Sequence, residues 1–282
     1  MFAYIGGKYN IGKWIFEQLP KDHHWDRYTE VFGGAMWVYI KRAIISKEYH
    51  YNDFNPFLYN LWRCITEKRE EFLEFIKDVQ PNDKPYYKEC NAYIKEAEIN
   101  KDEWLPTVPN IEIAEKYIYL ATNSFSGIIG AGMRLKVDQY SPFKKRLYNP
   151  TFTNKLDKIT QVHNMDFRDI IKKNDCENGL FYIDPPYLGK EHLYSFHNFD
   201  LEGHKELAEM LKSIKSCWIL SYYDEEYLRP LYSDNVWIKK EFARSSVHKY
   251  GKDGKKGEEV LILSKSLVEL GKNKKALNVF FK

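Results

Sequence analysis

One stretch narrows the choice of fold more than any other. Gly179-Leu180-Phe181-Tyr182-Ile183 is an uninterrupted apolar run of strand length, and it stops at Asp184-Pro185-Pro186-Tyr187. A run without polar alternation suits an inner strand covered on both faces, the environment of a parallel sheet in an α/β fold. Asp184 then stands at the carboxyl end of that strand, where open α/β sheets place their ligands. Pro185 and Pro186 fix φ and carry no N–H, so the loop is stiff and its carbonyls are free to accept hydrogen bonds. A side-chain acceptor, a backbone carbonyl and the Tyr187 ring together suit a planar exocyclic amine.

The N-terminal third supports the same fold class. Arg27 to Phe32 reads as a strand, Gly33-Gly34 as a tight turn, Ala35 to Ile45 as a helix, and Tyr49 to Tyr51 as the next strand. Asn52-Asp53-Phe54-Asn55-Pro56 closes it, before a helix from Phe57 to Cys64. An acid at the tip of the second strand, roughly twenty residues beyond the glycine turn, is where a ribose diol is held. No Gly-x-Gly-x-x-Gly cradle follows the first strand, so the pattern fits a nucleoside cofactor without a pyrophosphate. Asp53 can also act as a turn former, and Asp166 as the cap of a helix from Arg168 to Lys173.

Between residues 67 and 156 the pattern turns helical, with segments Glu67 to Val79, Tyr86 to Ile99 and Ile111 to Phe125, then a glycine-rich loop from Ser126 to Gly132. The α/β pattern resumes with strands Ile159 to Val162, Leu180 to Ile183 and Cys217 to Leu220. A helix from Leu201 to Lys212 has Asp200 available as its cap. Val236 to Phe242 and Glu259 to Ser264 are expected to pair antiparallel across a lysine-rich loop from Gly251 to Gly257, and the last dozen residues to form a loose tail. A chain of 282 residues is thus expected to be one catalytic domain, 1–66 and 157–282, interrupted by an inserted recognition domain, 67–156.

The net charge of +3 says little, but its distribution says more. Arg134, Lys136, Lys144, Lys145, Arg146 and Lys155 face only Asp138 in one segment. Lys239, Lys240, Arg244, Lys249, Lys252, Lys255 and Lys256 outnumber Glu241 and Asp253 in another. Two such patches can flank a polyanion. Cys64, Cys90, Cys176 and Cys217 have no close pair, the histidines show no metal-ligand spacing, and no apolar run reaches membrane-spanning length. These features point to a cytoplasmic protein with reduced thiols and no metal.

Taken in order, the motifs resemble those of the DNA adenine-N6 methyltransferases whose cofactor motif precedes the recognition domain and whose Asp-Pro-Pro-Tyr follows it. Dam-type enzymes and restriction-modification methylases belong to that class. Gly6-Gly7-Lys8, beside Tyr4, is similar to the family's early Gly-Gly-Lys. Glu30, Phe32 and Gly34, with Gly33 between, match its acid-x-Phe-x-Gly-x-Gly element, with Met36 at the final glycine position. Asp53 matches the acid of strand two, Asp166-Phe167 the later Asp-Phe, and Asp184-Pro185-Pro186-Tyr187 the catalytic motif. Asn123 to Gly127 and Ser141-Pro142 retain only fragments of the family's DNA-contacting hairpin.

The resemblance implies a Rossmann-like sheet that binds S-adenosylmethionine and releases S-adenosylhomocysteine. It implies double-stranded DNA as partner, a restriction endonuclease as functional counterpart in some members, and a monomer or weak dimer. The chemistry agrees. Adenine N6 is a poor nucleophile because its lone pair is delocalised. Asp184 and the Pro185 carbonyl accepting its two N–H bonds favour a tetrahedral nitrogen, Tyr187 is expected to stack on the base, and the base must first leave the duplex. Expected DNA contacts are Arg134, Lys136, Lys144, Lys145, Arg146, Arg244 and Lys249. Methylation of cytosine N4 or of RNA adenine, or a catalytically silent DNA-binding relative, stays open on sequence alone.

Overall fold

The computed structural model describes residues 2, 4, 6–41, 44–105, 109–129, 132–134, 137–191, 194, 196, 199–243 and 256–280. The first half runs α1 (Gly12–Phe16), β1 (His24–Glu30), α2 (Trp37–Lys41), β2 (Ile45–Asn52), α3 (Pro56–Glu67), α4 (Arg69–Ile76), α5 (Lys84–Ile99), α6 (Lys101–Trp104) and α7 (Ile111–Asn123). It continues with α8 (Tyr140–Leu147), α9 (Pro150–Leu156), β3 (Gln161–His163), α10 (Phe167–Asn174), β4 (Gly179–Ile183) and α11 (Leu201–Ser213). The last elements are β5 (Cys217–Tyr222), α12 (Leu228–Leu231), β6 (Val236–Ala243), β7 (Lys256–Leu263) and α13 (Lys265–Phe280).

The strands form one seven-stranded sheet in the order β3-β2-β1-β4-β5-β7-β6. β1 to β5 are mutually parallel, and β7 lies antiparallel between β5 and β6. This is a mixed α/β, Rossmann-like arrangement. The chain builds outward from β1 through β2 to β3, then returns to place β4 on the other side of β1. The winding direction therefore reverses between β1 and β4, and a crevice opens beyond their carboxyl ends.

Alternation along β4 divides the core. Leu180 and Tyr182 join an apolar cluster on one face that also holds Tyr28 and Tyr51, while Phe181 and Ile183 join a second with Trp218, Leu220 and Leu207. The first cluster runs without a break into α3, α5, α7 and α8 through Phe57, Cys90, Ile118 and Phe143. Within those helices Glu115, fully buried on α7, accepts hydrogen bonds from Tyr86 of α5 (2.5 Å) and Tyr140 of α8 (3.2 Å). Burial raises its pKa, and these two hydroxyls partly offset that.

Helix starts follow capping chemistry. Asn55, Asp83, Asn110, Asn149, Asp166 and Asp200 each accept a backbone N–H of the first turn of α3, α5, α7, α9, α10 and α11. Two expectations are corrected. The helix expected from Ala35 to Ile45 begins only at Trp37, because Met36 is left-handed (φ +53°), and Ile45 already opens β2. The basic stretch after residue 139 folds as α8 and α9; Tyr140, Phe143 and Leu147 give α8 a buried stripe at i, i+3, i+7. The expected loose tail is helical to Phe280. The lysine-rich loop after Ala243 lies outside the described residues up to Lys255, and among the described residues no helix is long and apolar enough to cross a membrane.

Trp62, fully buried on α3, packs on Tyr51 (5.1 Å between rings) and donates from Nε1 to the Gly34 carbonyl (2.9 Å). Trp62→Phe removes that donor and part of the buried volume, so urea unfolding is expected to show a loss of about 1–3 kcal/mol.

Candidate active site

At the carboxyl edge of the sheet, Glu30 ends β1 and Asp53 follows β2, and these two acids shape one wall of a cleft. The turn after β1 is closed from behind. Gly33 donates to the Asn52 carbonyl (2.7 Å), and a Cβ on Gly33 would lie 2.2 Å from the Tyr51 ring, so no larger residue fits. Two donors, the Tyr51 hydroxyl (3.0 Å) and the Trp62 indole, hold the Gly34 carbonyl. Met36, 1% exposed, takes the positive φ that a glycine adopts without strain, so the loop keeps its shape at a backbone cost of about 1–2 kcal/mol.

Glu30 is 1% exposed, and its Oε1 accepts from the Tyr28 hydroxyl (2.9 Å) and from the Tyr39 amide at the start of α2 (3.0 Å). Burial raises its pKa to about 7 against those two donors. Asp53 accepts from the Gly34 and Asn55 amides (2.8 and 2.9 Å), and burial still lifts it to about 6. Asp166 caps α10 and is gripped by the Arg168 guanidinium at 3.0 Å to each oxygen. Phe32 and Phe167 stack at 5.9 Å, and Phe199 sets its edge against both.

Beyond β4 the loop chemistry centres on a buried ion pair. Lys8 Nζ lies 2.8 Å from Asp184 Oδ1 and 3.3 Å from Glu259 Oε1, and donates to the Tyr187 hydroxyl (2.8 Å) and the Gly6 carbonyl (3.1 Å). Tyr187 Oη also sits 3.0 Å from Asp184 Oδ1 and 2.5 Å from Glu259 Oε1, which additionally accepts from Ser221 (2.5 Å). Burial disfavours the Lys8 ammonium, yet the carboxylates of Asp184 and Glu259 raise its pKa above the ordinary lysine range. For Asp184, burial outweighs Lys8 and, with the like charge of Glu259, raises the pKa to about 6. Its side chain keeps 15% exposure toward the cleft.

Every residue expected around the cofactor lines this one cleft: Tyr4, Gly7, Lys8, Glu30, Phe32, Gly33, Gly34, Asp53, Asp166, Phe167 and Asp184. Of the catalytic motif Pro186 also lines it. Pro185 is buried, and Tyr187 is not on the cleft wall. The Tyr187 ring, 8% exposed, packs between Tyr222 and Tyr223 at 4.5 Å from each. Its hydroxyl is the hub that joins Lys8, Asp184 and Glu259. Sequence reasoning overlooked Phe54, Tyr182, Tyr194, Phe196 and Phe199, which line the cleft, and Glu259 behind it. The Phe196 to Phe199 aromatics just past the catalytic motif were the available signal.

The expected DNA contacts scatter more. Lys145 on α8 and half-buried Arg134 are surface cations, while Arg146 lies over the Trp37 ring at 5.6 Å from its centre. Lys144 is a correction: its ammonium caps the end of α4, on the carbonyls of Val79 (2.9 Å), Lys77 (3.1 Å) and Ile76 (3.3 Å). Lys136, Arg244 and Lys249 lie outside the described residues.

Comparison with known proteins agrees with this geometry. The family profile of the D12 class N6 adenine-specific DNA methyltransferases matches residues 4–246. Type II methyltransferase M1.LlaDCHI of Lactococcus lactis subsp. cremoris is 24% identical over 274 residues, covering 89% of this chain and 90% of that protein.

The elevated Glu30 pKa has a stability consequence. A carboxyl whose folded pKa exceeds its ordinary value contributes stability below about pH 4.5 that is lost as pH rises through about 7. Glu30→Gln, which keeps an acceptor for Tyr28 and Tyr39, is therefore expected to unfold like the unaltered chain near pH 4.5. At pH 8 the ligand-free variant should be more stable by about 1–3 kcal/mol in urea titrations. At the surface, Lys144→Ala should cost about 1 kcal/mol of stability through the lost cap. Lys145→Ala should leave stability unchanged and weaken duplex binding in a salt-dependent way, as measured by fluorescence anisotropy.

Proposed function

Because the chain belongs to the D12 class of N6 adenine-specific DNA methyltransferases, we propose that its cleft holds S-adenosylmethionine beside Asp184, which receives an adenine extruded from duplex DNA. The observation that carries this is the convergence of Glu30, Asp53, Asp166 and Asp184 on one cavity at the switch point of the sheet. The lining suits such a cofactor. Tyr182 Oη is buried on the cleft wall without a hydrogen-bond partner among the described residues, so a polar ligand is accommodated there.

Asp53, flanked by the Gly34 and Asn55 amides, would hold ribose hydroxyls, Glu30 the amino end, and Phe32, Phe54, Phe167 and Phe199 the purine. When bound, S-adenosylmethionine supplies an electrophilic sulfonium methyl. The chain's own task is the nucleophile. Asp184 and the Pro185 carbonyl accept the two N–H bonds of adenine N6, which draws its lone pair out of the ring and orients it. Oδ1 of Asp184 is already engaged by Lys8, so the incoming amine must share or displace that ammonium.

Residues 67–156 act as the target-recognition region, with Lys145, Arg146 and Arg134 toward the DNA and α8 held to the body by Tyr140, Phe143 and Leu147. The protein acts in the cytoplasm as a monomer or weak dimer. The Type II description of its relative supports a place beside a restriction endonuclease of the same specificity.

Asp184→Ala tests the assignment. Methyl transfer to duplex DNA should fall by roughly 10²–10³-fold, while cofactor binding by calorimetry persists. Nucleoside mass spectrometry of the product should show N6-methyladenine. Full activity in the variant, or a methyl on cytosine N4, would sink the proposal.

A further inference from the structure

The Tyr187 hydroxyl has one proton and two carboxylates competing for it. Glu259 Oε1 is the nearer at 2.5 Å, against 3.0 Å for Asp184 Oδ1, and the hydroxyl's acceptor side is occupied by Lys8. Glu259 is 3% exposed and stands on β7, which runs antiparallel to both β5 and β6, opposite the carboxyl end of β5. A buried carboxylate of this kind is costly unless it is paired, and two of its three partners here, Lys8 and Tyr187, also touch Asp184, the third being Ser221.

We propose that Glu259 is a positioning residue for methyl transfer: it accepts the hydrogen bond donated by the Tyr187 hydroxyl and offers Lys8 a second counter-charge, leaving Asp184 free to accept the N6 amine. When the amine occupies Asp184, Lys8 shifts its weight from 2.8 Å contact with Asp184 toward Glu259, 3.3 Å away, and its charge stays paired. This inference rests on the role of Asp184 set out above. It also bears on pH. The groups facing Asp184 are Lys8 and Tyr194 from loops, Tyr187 from its own loop, Tyr182 from β4, Glu30 from β1 and Glu259 from β7. Of these, Glu259 is the like charge that opposes ionisation of Asp184 most strongly.

The test is single-turnover methylation by the full chain from pH 4.5 to 9, with cofactor affinity measured by calorimetry. Glu259→Gln should slow transfer by roughly 10–100-fold, the weight of a hydrogen bond to a charged group, with cofactor affinity retained. Its acid limb should move to lower pH, because a negative charge beside Asp184 is gone, a change that a purely structural residue would not cause. Glu259→Asp keeps the charge but withdraws it from Tyr187, so transfer should slow with the acid limb unmoved. A wild-type rate in either variant overturns the proposal, as does a slowed Glu259→Gln enzyme whose acid limb stays in place. If the unaltered enzyme itself puts no methyl on adenine N6, the functional assignment has failed instead.

Discussion

Burial of like charges at the carboxyl edge of the sheet is the constraint on which this molecule is built. Glu30, Asp53 and Asp184 end or follow neighbouring parallel strands, each largely withdrawn from water and each with a raised pKa. Such groups destabilise a ligand-free fold, and the sheet tolerates them because each has a dedicated partner: backbone amides for Asp53, a tyrosine hydroxyl and a helix amide for Glu30, an ammonium for Asp184. Much of the surrounding architecture, the closed glycine turn and the aromatic backing of Tyr51 and Trp62 included, holds those partners in place.

The winding reversal between β1 and β4 explains why acids far apart in the chain share one cavity. It sets Glu30 beside Tyr182 in the register of the sheet, so that Asp184 follows two residues later, just past the end of the adjoining strand. The antiparallel β7 then brings Glu259 to the same edge from the opposite direction. The N-terminal segment closes the arrangement through Lys8, whose ion pair spans most of the sequence.

Much of the fold was legible in the residues. The unalternated β4 run, the Gly33-Gly34 turn, the acid after β2 and the late antiparallel pair all rest on local rules of burial, backbone freedom and periodicity. Where those rules compete, the outcome was hidden. Met36 accepts a left-handed backbone that its side chain disfavours, shortening α2. Lys144 looks like any exposed cation until α4 presents its carbonyl end to it. The stripe of Tyr140, Phe143 and Leu147 was masked by the charges between them, and the lysine-rich C-terminus concealed α13.

By itself the sequence determined the α/β class, the order of the motifs and the residue types suited to a nucleoside cofactor and an exocyclic amine, because these depend on short-range backbone and side-chain chemistry. Only the tertiary structure decided who holds whom: that the Tyr187 hydroxyl serves a buried network while its ring is enclosed by Tyr222 and Tyr223, and that Glu259 completes that network. Hydrogen bonds between residues 72 and 179 positions apart are set by strand order and register, and no local pattern in the chain encodes them.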